Sequence, residues 1–247
     1  MEANIVSEYV YNDKYFECID SDEKAYWLGF LYADGSIHEL YRNNKIKAMV
    51  LEFALAEKDQ QHVQLFVDCI GSNVPLDKRY TVINSKTYYS YRARINNTKI
   101  CRDLISLGCI PRKSLVLKFP TKEQLNGFEN SFIRGYFDGD GCIHYSERDY
   151  IDKRNNKKYR QKSLIVSIVG TNDFLFSLSE FLLPLGINFK MVKNPNTGNA
   201  KEIRLNRKNE IKKLFDYMYM NETIKLDRKY NKFLYAFNNY EDLKMAS

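Results

Sequence analysis

The chain has 247 residues, of which 44% are hydrophobic, so it carries enough apolar side chains to bury a substantial core. This composition excludes a disordered chain, and no uncharged apolar stretch reaches the length of about 20 residues that a membrane-spanning helix needs. The net charge of +7 indicates a polyanionic partner, although charge alone does not separate nucleic-acid binding from ordinary basic proteins.

Cysteine usage and the N-terminal sequence are typical of a reducing compartment. The 5 cysteines are widely spaced and form no C-x-x-C pair, so reduced thiols are expected rather than zinc ligands. The first residues contain no basic segment followed by an apolar run, as a secretory signal would. We therefore expect a soluble protein with no membrane partner, in the cytoplasm or in the organelle or nucleoid compartment that holds its gene.

The first predicted element is a helix that contains residues 27–35, with the pattern apolar-x-Gly-aromatic-apolar-x-small-Asp-Gly. Gly29 and Ala33 form a small-residue stripe on one helix face, through which a second helix can pack closely. Gly35 is expected to end the helix in a left-handed conformation. Asp34 then lies at the helix C-terminus, where the negative end of the macrodipole disfavours an anion by about 0.3–1 kcal/mol.

The next elements of the first half alternate between strands and helices. A β-rich segment at residues 48–53 is followed by an amphipathic helix at 59–70, and Gly71 provides the stop. A further strand is predicted at 87–94 and a closing helix at 99–107. The first half therefore reads helix, two strands, helix, two strands, helix, and a linker is expected at residues 120–127.

The second half repeats this order. Residues 133–141 repeat the helix pattern, with Gly135 and Gly139 as the small residues and Asp140 as the terminal acid. A strand, a helix that stops at Gly186, a turn-rich hairpin and a closing helix follow at 164–169, 173–185, 194–199 and 210–218. Other matched landmarks, in the same order in both halves, are His38 and His144, Arg94 and Arg204, and the pairs Arg112-Lys113 and Arg228-Lys229. The predicted domains are 1–119, with an N-terminal arm at 1–21, and 128–247.

The two small-residue stripes predict that the repeated helices pack on each other and bring Asp34 and Asp140 together. Two carboxylates at unfavourable helix ends repel each other, and a bound divalent cation removes that repulsion. Hard carboxylate oxygens without a nearby thiolate favour Mg²⁺, which activates water and offsets charge on a transferring phosphoryl group. A single Asp-Gly pair would be interpreted as a plain helix stop, but the duplication favours a metal site.

These residues resemble the two signature motifs of a single-chain LAGLIDADG homing endonuclease, and the repeated framework covers about residues 22 to 235. Tyr32 stands where the family name has its first acid, at a position that varies in the family. The resemblance implies an α+β fold in which two αββαββα repeats, related by a pseudo-twofold axis, form two antiparallel four-stranded sheets. The sheets form a saddle on double-stranded DNA, with the two motif helices packed at its centre.

The resemblance also implies a reaction and a cofactor. A monomer without an obligate protein partner would hydrolyse both strands of a long asymmetric DNA target and leave short 3′ overhangs. Asp34 and Asp140, with the adjacent Ala33 and Gly139, are the expected ligands of Mg²⁺. Mn²⁺ is expected to substitute for Mg²⁺, and Ca²⁺ to support binding without cleavage.

Further catalytic groups follow from the same resemblance. Glu57 would position water in the first half, at a place where the second half has Gly170, so the two active sites are expected to differ. The candidates for a basic catalytic group are Arg112, Lys113, Arg228 and Lys229.

Polar and basic residues on predicted strands and loops are the candidates for DNA contact. Arg92 and Arg94 alternate with Tyr91 and Ala93, so both guanidinium groups can face DNA, although any half-buried sheet has a polar face. The basic run at 153–162 contains no acid and is expected to form a hairpin over the phosphate backbone, with a solvated loop as the alternative. The full set is His38, Arg42, Lys47, Arg92, Arg94, His144, Lys153, Arg154, Lys157, Lys158, Arg160, Lys193 and Arg204.

Two other functions are compatible with the same fold. One is an RNA-binding maturase that assists intron splicing, and the other is a transcription regulator that binds DNA without cutting it. Loss of either acid would favour both alternatives, and both acids are present, so the nuclease is the favoured interpretation. Intein splicing is disfavoured, because Met1 is not a splicing nucleophile and the last residues contain no His-Asn pair.

Overall fold

Two sets of helices and strands follow one another in the same order along the chain. The computed structural model describes residues 9–193, 201–220 and 222–241. The first set is α1 (Asp22–Asp34), β1 (Gly35–Arg42), β2 (Lys45–Ala56), α2 (Gln60–Cys69), β3 (Asp77–Ile83), β4 (Lys86–Ile95) and α3 (Thr98–Ser106). A short helix, α4 (Lys122–Leu125), precedes the second set, which is α5 (Glu129–Asp140), β5 (Gly141–Asp152), β6 (Lys157–Gly170), α6 (Asn172–Leu182), β7 (Lys190–Lys193), β8 (Lys201–Leu205), α7 (Lys208–Tyr219) and α8 (Asp227–Glu241).

Each set forms an antiparallel four-stranded sheet. The strand orders are β1-β2-β4-β3 and β5-β6-β8-β7, so the two sheets have the same topology. Gly35 pairs with Phe53 in the first sheet, and Gly141 pairs with Ile168 in the second. These two pairs define which positions of the repeats are equivalent. The predicted α+β architecture of two αββαββα repeats is confirmed.

Helices α1 and α5 pack against each other at the centre of the molecule. A side chain at Gly29 would collide with the carbonyl oxygen of Phe132, and a side chain at Gly135 would collide with that of Tyr26. The small-residue stripes therefore place backbone against backbone, as predicted. Because α1 is buried from residue 25 to residue 32, it is apolar on nearly all sides instead of having one apolar face.

The glycines that follow the two acids act differently from the prediction. Gly35 and Gly141 have φ values of −74° and −84° in extended backbone, and each begins a strand directly. The left-handed conformation expected for them is wrong. A Cβ at Gly35 would lie 2.7 Å from the Leu31 carbonyl oxygen, so glycine is needed for a close approach to the preceding helical turn. The predicted stops at Gly71 and Gly186 do have positive φ values, of +62° and +71°.

Two helices, one between the repeats and one near the end of the described chain, were not predicted from the sequence. Residues 122–125 of the predicted linker form α4, which begins with a capping box between Thr121 and Gln124. In α8, Phe233 is buried and its ring centroid lies 5.5 Å from that of Phe137 in α5. Phe233, Ala236 and Phe237 recur at helical spacing, which is the signal that could have predicted this helix. The predicted hairpin at 194–199 lies outside the described residues.

The segment before α1 packs on the first repeat. Tyr15, Phe16 and Ile19 are buried in the core, and the backbone N–H of Asn12 donates to the carbonyl oxygen of Ile70 at 2.9 Å. In the described ranges, no helix is both long enough and apolar enough to cross a membrane. Buried residues of both repeats belong to one hydrophobic cluster.

Candidate active site and nucleic-acid interface

Asp34 and Asp140 end the two packed helices and lie close together. A Cβ at Gly139 would be only 2.9 Å from Oδ2 of Asp34, so the acid of one repeat borders the backbone of the other. Asp34 keeps solvent-accessible surface, but the surrounding protein and the Asp140 carboxylate raise its pKa to about 6. Burial also raises the pKa of Asp140. Ionising this pair therefore has an electrostatic cost that a bound cation would remove.

A buried lysine lies beside each acid. Lys113 Nζ donates to the carbonyl oxygens of Ala33, at 3.5 Å, and Gly35. Lys229 Nζ donates to the carbonyl oxygen of Gly139 at 2.9 Å, and burial lowers the pKa of this lysine to about 8. The carbonyl groups of residues 33 and 139, predicted as metal ligands, are thus already hydrogen-bonded, and each keeps a second lone pair.

The arginines next to these lysines have different roles in the two halves. Arg228 Nε donates to both carboxylate oxygens of Asp59 at 2.8 and 3.0 Å, which makes an ion pair between the second half and the first. Arg112 is exposed and has a left-handed backbone conformation with φ 55°. Of the four predicted basic groups, the two lysines are the ones that hydrogen-bond to the helix ends carrying the acids.

Glu57 is not the counterpart of Gly170. The strand pairings make Asn172 the position equivalent to Glu57, so the asymmetry predicted from the first pair of residues is wrong. The sequence comparison missed this because β2 and β6 end at different points relative to the paired glycines. Oε1 of Glu57 accepts a hydrogen bond from Lys78 Nζ at 2.9 Å on the exposed surface.

A buried polar network behind the second acid was not evident from the sequence. Asp138 is 1% exposed and accepts hydrogen bonds from the Tyr26 hydroxyl at 2.9 Å and the backbone N–H of Leu226 at 2.7 Å. The Tyr26 hydroxyl also lies 2.8 Å from Nε2 of His62. Since Leu226 directly precedes α8, Asp138 fixes the start of the helix that carries Lys229.

Tyr32 has the corresponding place in the first half. It stands in the motif where the second copy has Asp138, and its hydroxyl donates to the carbonyl oxygen of Leu107, just after α3. That bond anchors the segment leading to Lys113. In both copies of the motif, the residue two positions before the acid hydrogen-bonds to the segment that leads to the lysine. The difference between Tyr32 and Asp138 at this position was a sequence signal that could have indicated these contacts.

The buried His62 side chain is expected to make the protein less stable in acid. Burial lowers its pKa to about 4, against the partial opposition of the Asp59 carboxylate. An unfolded chain has a histidine pKa of about 6.5, so it binds the proton first, and stability falls between about pH 6.5 and pH 4, by up to about 3 kcal/mol. His62→Gln is expected to lose this component, as measured by urea unfolding at about pH 7 and about pH 5. The same acid-induced loss in both proteins would contradict the assignment to His62.

The exposed face of the first sheet carries the predicted arginines within an ionic network. Ala93 between them is buried, which confirms the alternation of Arg92 and Arg94 along β4. Glu52 on the adjacent strand binds Arg92 Nη1 at 3.0 Å and Arg94 Nε at 3.5 Å, and lies 3.6 Å from His38 Nε2. An acid from another strand therefore compensates part of the positive charge, which the alternation pattern alone did not predict.

The hairpin between β5 and β6 divides its basic residues between two faces. Strand pairing places Lys157 on the same sheet face as His144. Lys158 and Arg160 lie on the opposite face of β6. Lys158 and Arg160 form ion pairs with Asp149 at 3.3 and 2.9 Å. The run does form part of a hairpin, as predicted, and the facing strand supplies a carboxylate to both of these basic side chains.

The other predicted contact residues lie at strands or turns of the two sheets. Arg204 on β8 is about half exposed and forms a bidentate ion pair with Glu202 at 2.7 and 2.9 Å. Lys193 ends β7, and its side chain is outside the described part of the structure. Exposed side chains at the hairpins of β1–β2 and β5–β6 are Arg42, Lys47, Lys153 and Arg154.

Two equivalent repeats thus place a pair of acids and a pair of lysines at the ends of a tightly packed central helix pair. The two antiparallel sheets continue directly from these helix ends and present charged side chains on their exposed faces. This arrangement defines a class of protein: a two-repeat α+β fold with a paired-carboxylate site on its pseudo-twofold axis.

Comparisons with known proteins give a family-model match in the second repeat and a fold match over most of the chain. Residues 127–218 match the family model of the LAGLIDADG-like domain, and the chain as a whole has the fold of the LAGLIDADG meganucleases. It is similar to meganuclease I-SmaMI bound to uncleavable DNA, at 13% identity and a TM-score of 0.59, over 89% of this chain and 92% of that chain. It is also similar to the I-LtrWI homing endonuclease bound to target DNA, at 12% identity and a TM-score of 0.56, over 94% and 92% of the two chains.

A third structure with this fold is I-SmaMI bound to its uncleaved DNA target in the presence of calcium ions. It shares 11% identity with this chain at a TM-score of 0.56, over 88% of this chain and 92% of that chain. A comparison with curated protein sequences gave no match. The likeness to the solved structures is therefore a likeness of fold, and it includes the helix pair that carries Asp34 and Asp140.

Proposed function

We propose that the protein is a site-specific double-strand DNA endonuclease that acts as a monomer, with one repeat on each side of its target. The observation that carries this proposal is the duplicated site: each repeat supplies one acid, Asp34 or Asp140, and one buried lysine. Two matched sets of groups on a pseudo-twofold axis suit two scissile phosphates on the two strands of a duplex. The DNA bound by I-SmaMI and I-LtrWI supports a duplex substrate.

The two acids fit a divalent cation. They are hard oxygen donors at neighbouring helix C-termini, where their charge is otherwise poorly compensated. Among the described residues, no cluster of three or more Asp, Glu, His or Cys side chains could hold a metal ion, so phosphate and water oxygens would complete the coordination. When bound, Mg²⁺ would activate water and offset charge at the phosphate; Mn²⁺ is expected to substitute, and Ca²⁺ to support binding only.

The chain's own lysines would supply fixed positive charge at the two phosphates. Lys113 and Lys229 are held by helix-end carbonyl groups and are largely buried, so their ammonium groups do not need to reorganise when charge develops. A preorganised cation of this kind stabilises the transition state more than a mobile surface lysine would. Asp138 contributes indirectly, because it fixes the start of the helix that carries Lys229.

Cation binding is expected to raise the melting temperature of the DNA-free protein. Mg²⁺ or Ca²⁺ relieves the repulsion between Asp34 and Asp140 in the folded state and has no such site in the unfolded chain. The rise should be lost in Asp34→Asn, whereas Asp216→Asn, at an exposed acid of α7, should keep it. Differential scanning calorimetry with metal and with a chelator measures the shift. An equal rise in all three proteins would show that the cation binds elsewhere.

A DNA-binding regulator that does not cut is the second candidate, and one observation favours it. Ala54 and Val169 directly follow the residues that pair with Gly35 and Gly141. They lie on the exposed faces of the inner strands β2 and β6. These two inner-strand positions therefore offer no polar side chain to orient a water molecule. The RNA maturase, proposed from the family resemblance, has no comparable observation in its favour.

One experiment separates these functions. A library of randomised duplex DNA is incubated with the protein in Mg²⁺, and cleaved molecules are selected and sequenced. A parallel selection in Ca²⁺ recovers molecules that are bound but intact. Cleaved and bound pools that share one sequence support the endonuclease, and a bound sequence without cleavage supports the regulator. Preference for structured intron RNA over every duplex would favour the maturase and contradict both.

Replacing one lysine is expected to impair cleavage of one strand more than the other. Lys113 and Lys229 each hydrogen-bond to the helix end of their own repeat, so Lys113→Met and Lys229→Met should cause nicked DNA to accumulate, each on a different strand. A loss of about 10²-fold in the rate at the affected strand is expected for one electrostatic group. Substrates labelled on either strand measure this, with Lys99→Met, at a partly exposed lysine of α3, as control. Equal slowing of both strands would contradict one lysine per site.

A further inference from the structure

Arg94 and Arg204 occupy equivalent positions in the two sheets. Arg94 is paired through Glu52 to Ser36, the residue after the first paired glycine. Arg204 is paired through Ser167 to Cys142, the residue after the second. Both arginines therefore lie on inner strands, level with the residue that follows the paired glycine at the end of each acid-bearing helix. Their side chains are 47% and 46% exposed, so the two equivalent positions are also alike in solvent exposure.

Each of these arginines is held by a glutamate that is more buried than itself. Glu202 is 9% exposed and binds Arg204 through two hydrogen bonds, at 2.7 and 2.9 Å. Glu52 is 20% exposed and lies 3.5 Å from Arg94, while Arg92 holds its other oxygen at 3.0 Å. The Arg204 guanidinium keeps the pKa of Glu202 below its usual range.

The glutamates come from different positions in the two repeats. Glu52 lies on β2 directly opposite Arg94, whereas Glu202 lies on β8, on the same strand and face as Arg204. The residue equivalent to Glu52 is Ser167, and the residue equivalent to Glu202 is Arg92. In each repeat a glutamate therefore lies against the equivalent arginine, but Glu202 makes two hydrogen bonds to Arg204, whereas Glu52 forms an ion pair with Arg94 and also binds Arg92.

An arginine fixed by a carboxylate is poorly suited to phosphate, because the neighbouring anion offsets its charge. It is well suited to a base edge, because its remaining N–H donors point in fixed directions and little side-chain entropy is lost on contact. The paired acceptors O6 and N7 of guanine in the major groove match such a donor pair. A base edge carries no net charge, so the nearby carboxylate does not oppose this contact.

We propose that Arg94 and Arg204 read guanine on the two sides of the cleavage centre, and that Glu52 and Glu202 are the positioning residues that fix their orientation. This inference rests on the proposed binding of duplex DNA. In this proposal, the arginines whose charge is compensated by a glutamate recognise base identity. Basic side chains without a bound acid attract the DNA backbone. The glutamates would thus determine specificity although they repel DNA.

The test uses selection from a randomised duplex library in Ca²⁺ with the full chain, followed by affinity measurements on the selected site and on an unrelated duplex. In Glu202→Gln we expect the preference for guanine at one position to fall about tenfold, whereas affinity for unrelated DNA stays equal or rises. Glu52→Gln should do the same at one position on the other side of the centre. Arg204→Lys should lose the same preference as Glu202→Gln, because lysine cannot donate the paired hydrogen bonds.

Asp149→Asn is the matched control, since it removes a carboxylate that pairs with Arg160 on the opposite face of its hairpin. It changes the net charge equally and should leave base preference unaltered. Unchanged base preference in both glutamate variants would overturn the inference, as would a uniform gain of affinity for all sequences with no loss of selectivity. Failure of the wild-type chain to bind any duplex is a different result, and would overturn the proposed function together with this inference.

Discussion

Asp34→Asn and Asp140→Asn are each expected to abolish double-strand cleavage while leaving DNA binding largely intact. Asparagine has the size of aspartate but lacks the charge that holds a divalent cation, so the loss should be about 10³-fold or more. Binding should be unchanged or slightly tighter, because one negative charge next to the DNA backbone is removed. Cleavage of the selected target in Mg²⁺ and binding in Ca²⁺ measure the two effects separately.

The control for these variants is Asp216→Asn, which removes an exposed acid of α7 that pairs with Lys212. It should cut at the wild-type rate. Undiminished cleavage by either Asp34→Asn or Asp140→Asn would contradict the catalytic assignment of that acid. Loss of binding along with cleavage, in a variant that still unfolds cooperatively, would show that the acids organise the DNA interface instead of the reaction.

The order of the repeated helices and strands could be predicted because the strongest sequence signals are local and repeated. Gly29 and Gly135 lie in the same pattern, and close helix packing needs small residues at those places whatever surrounds them. The same pattern located both acids. The strands and helices after each acid follow from residue alternation and helical spacing, which need no knowledge of tertiary contacts.

The site was less predictable because its details depend on contacts between distant segments. Nothing near Asp138 in the sequence indicates that the backbone of Leu226 binds it, since this bond spans most of the second repeat. The ion pairs of Arg94 and Arg228 likewise depend on which strand or helix lies beside them. Glu57 was misassigned because equivalence was counted along the chain, whereas the strand pairing determines it.

Part of the sheet surface could have been predicted with one more step. His144 is exposed on β5. Once the strand pairing is known, alternation along the strands therefore shows on which face each residue of the β5–β6 hairpin lies. This alternation places Lys157 on one face and Lys158 and Arg160 on the other, although all three belong to one basic run in the sequence. The acid opposite them, Asp149, precedes the run in sequence and faces it only after the hairpin closes.

Gly29→Ala and Gly135→Ala are expected to destabilise the protein more than any surface change. A Cβ at either position would overlap a backbone carbonyl oxygen of the opposing helix, and neither helix can move without separating the two repeats. Overpacking of this kind costs about 3 kcal/mol or more, a large part of the roughly 5–15 kcal/mol that keeps a typical domain folded. The variants should melt about 10 °C lower or fail to accumulate as folded protein.

Gly127→Ala separates steric overlap from the general cost of replacing glycine. At Gly127 a Cβ would meet no atom within 4 Å, but the backbone φ of +87° is unfavourable for alanine, so a loss of only about 1–2 kcal/mol is expected. Thermal unfolding of the three variants, in the absence of metal and DNA, ranks them. If Gly29→Ala is no worse than Gly127→Ala, the helices do not depend on backbone contact to hold the acids together.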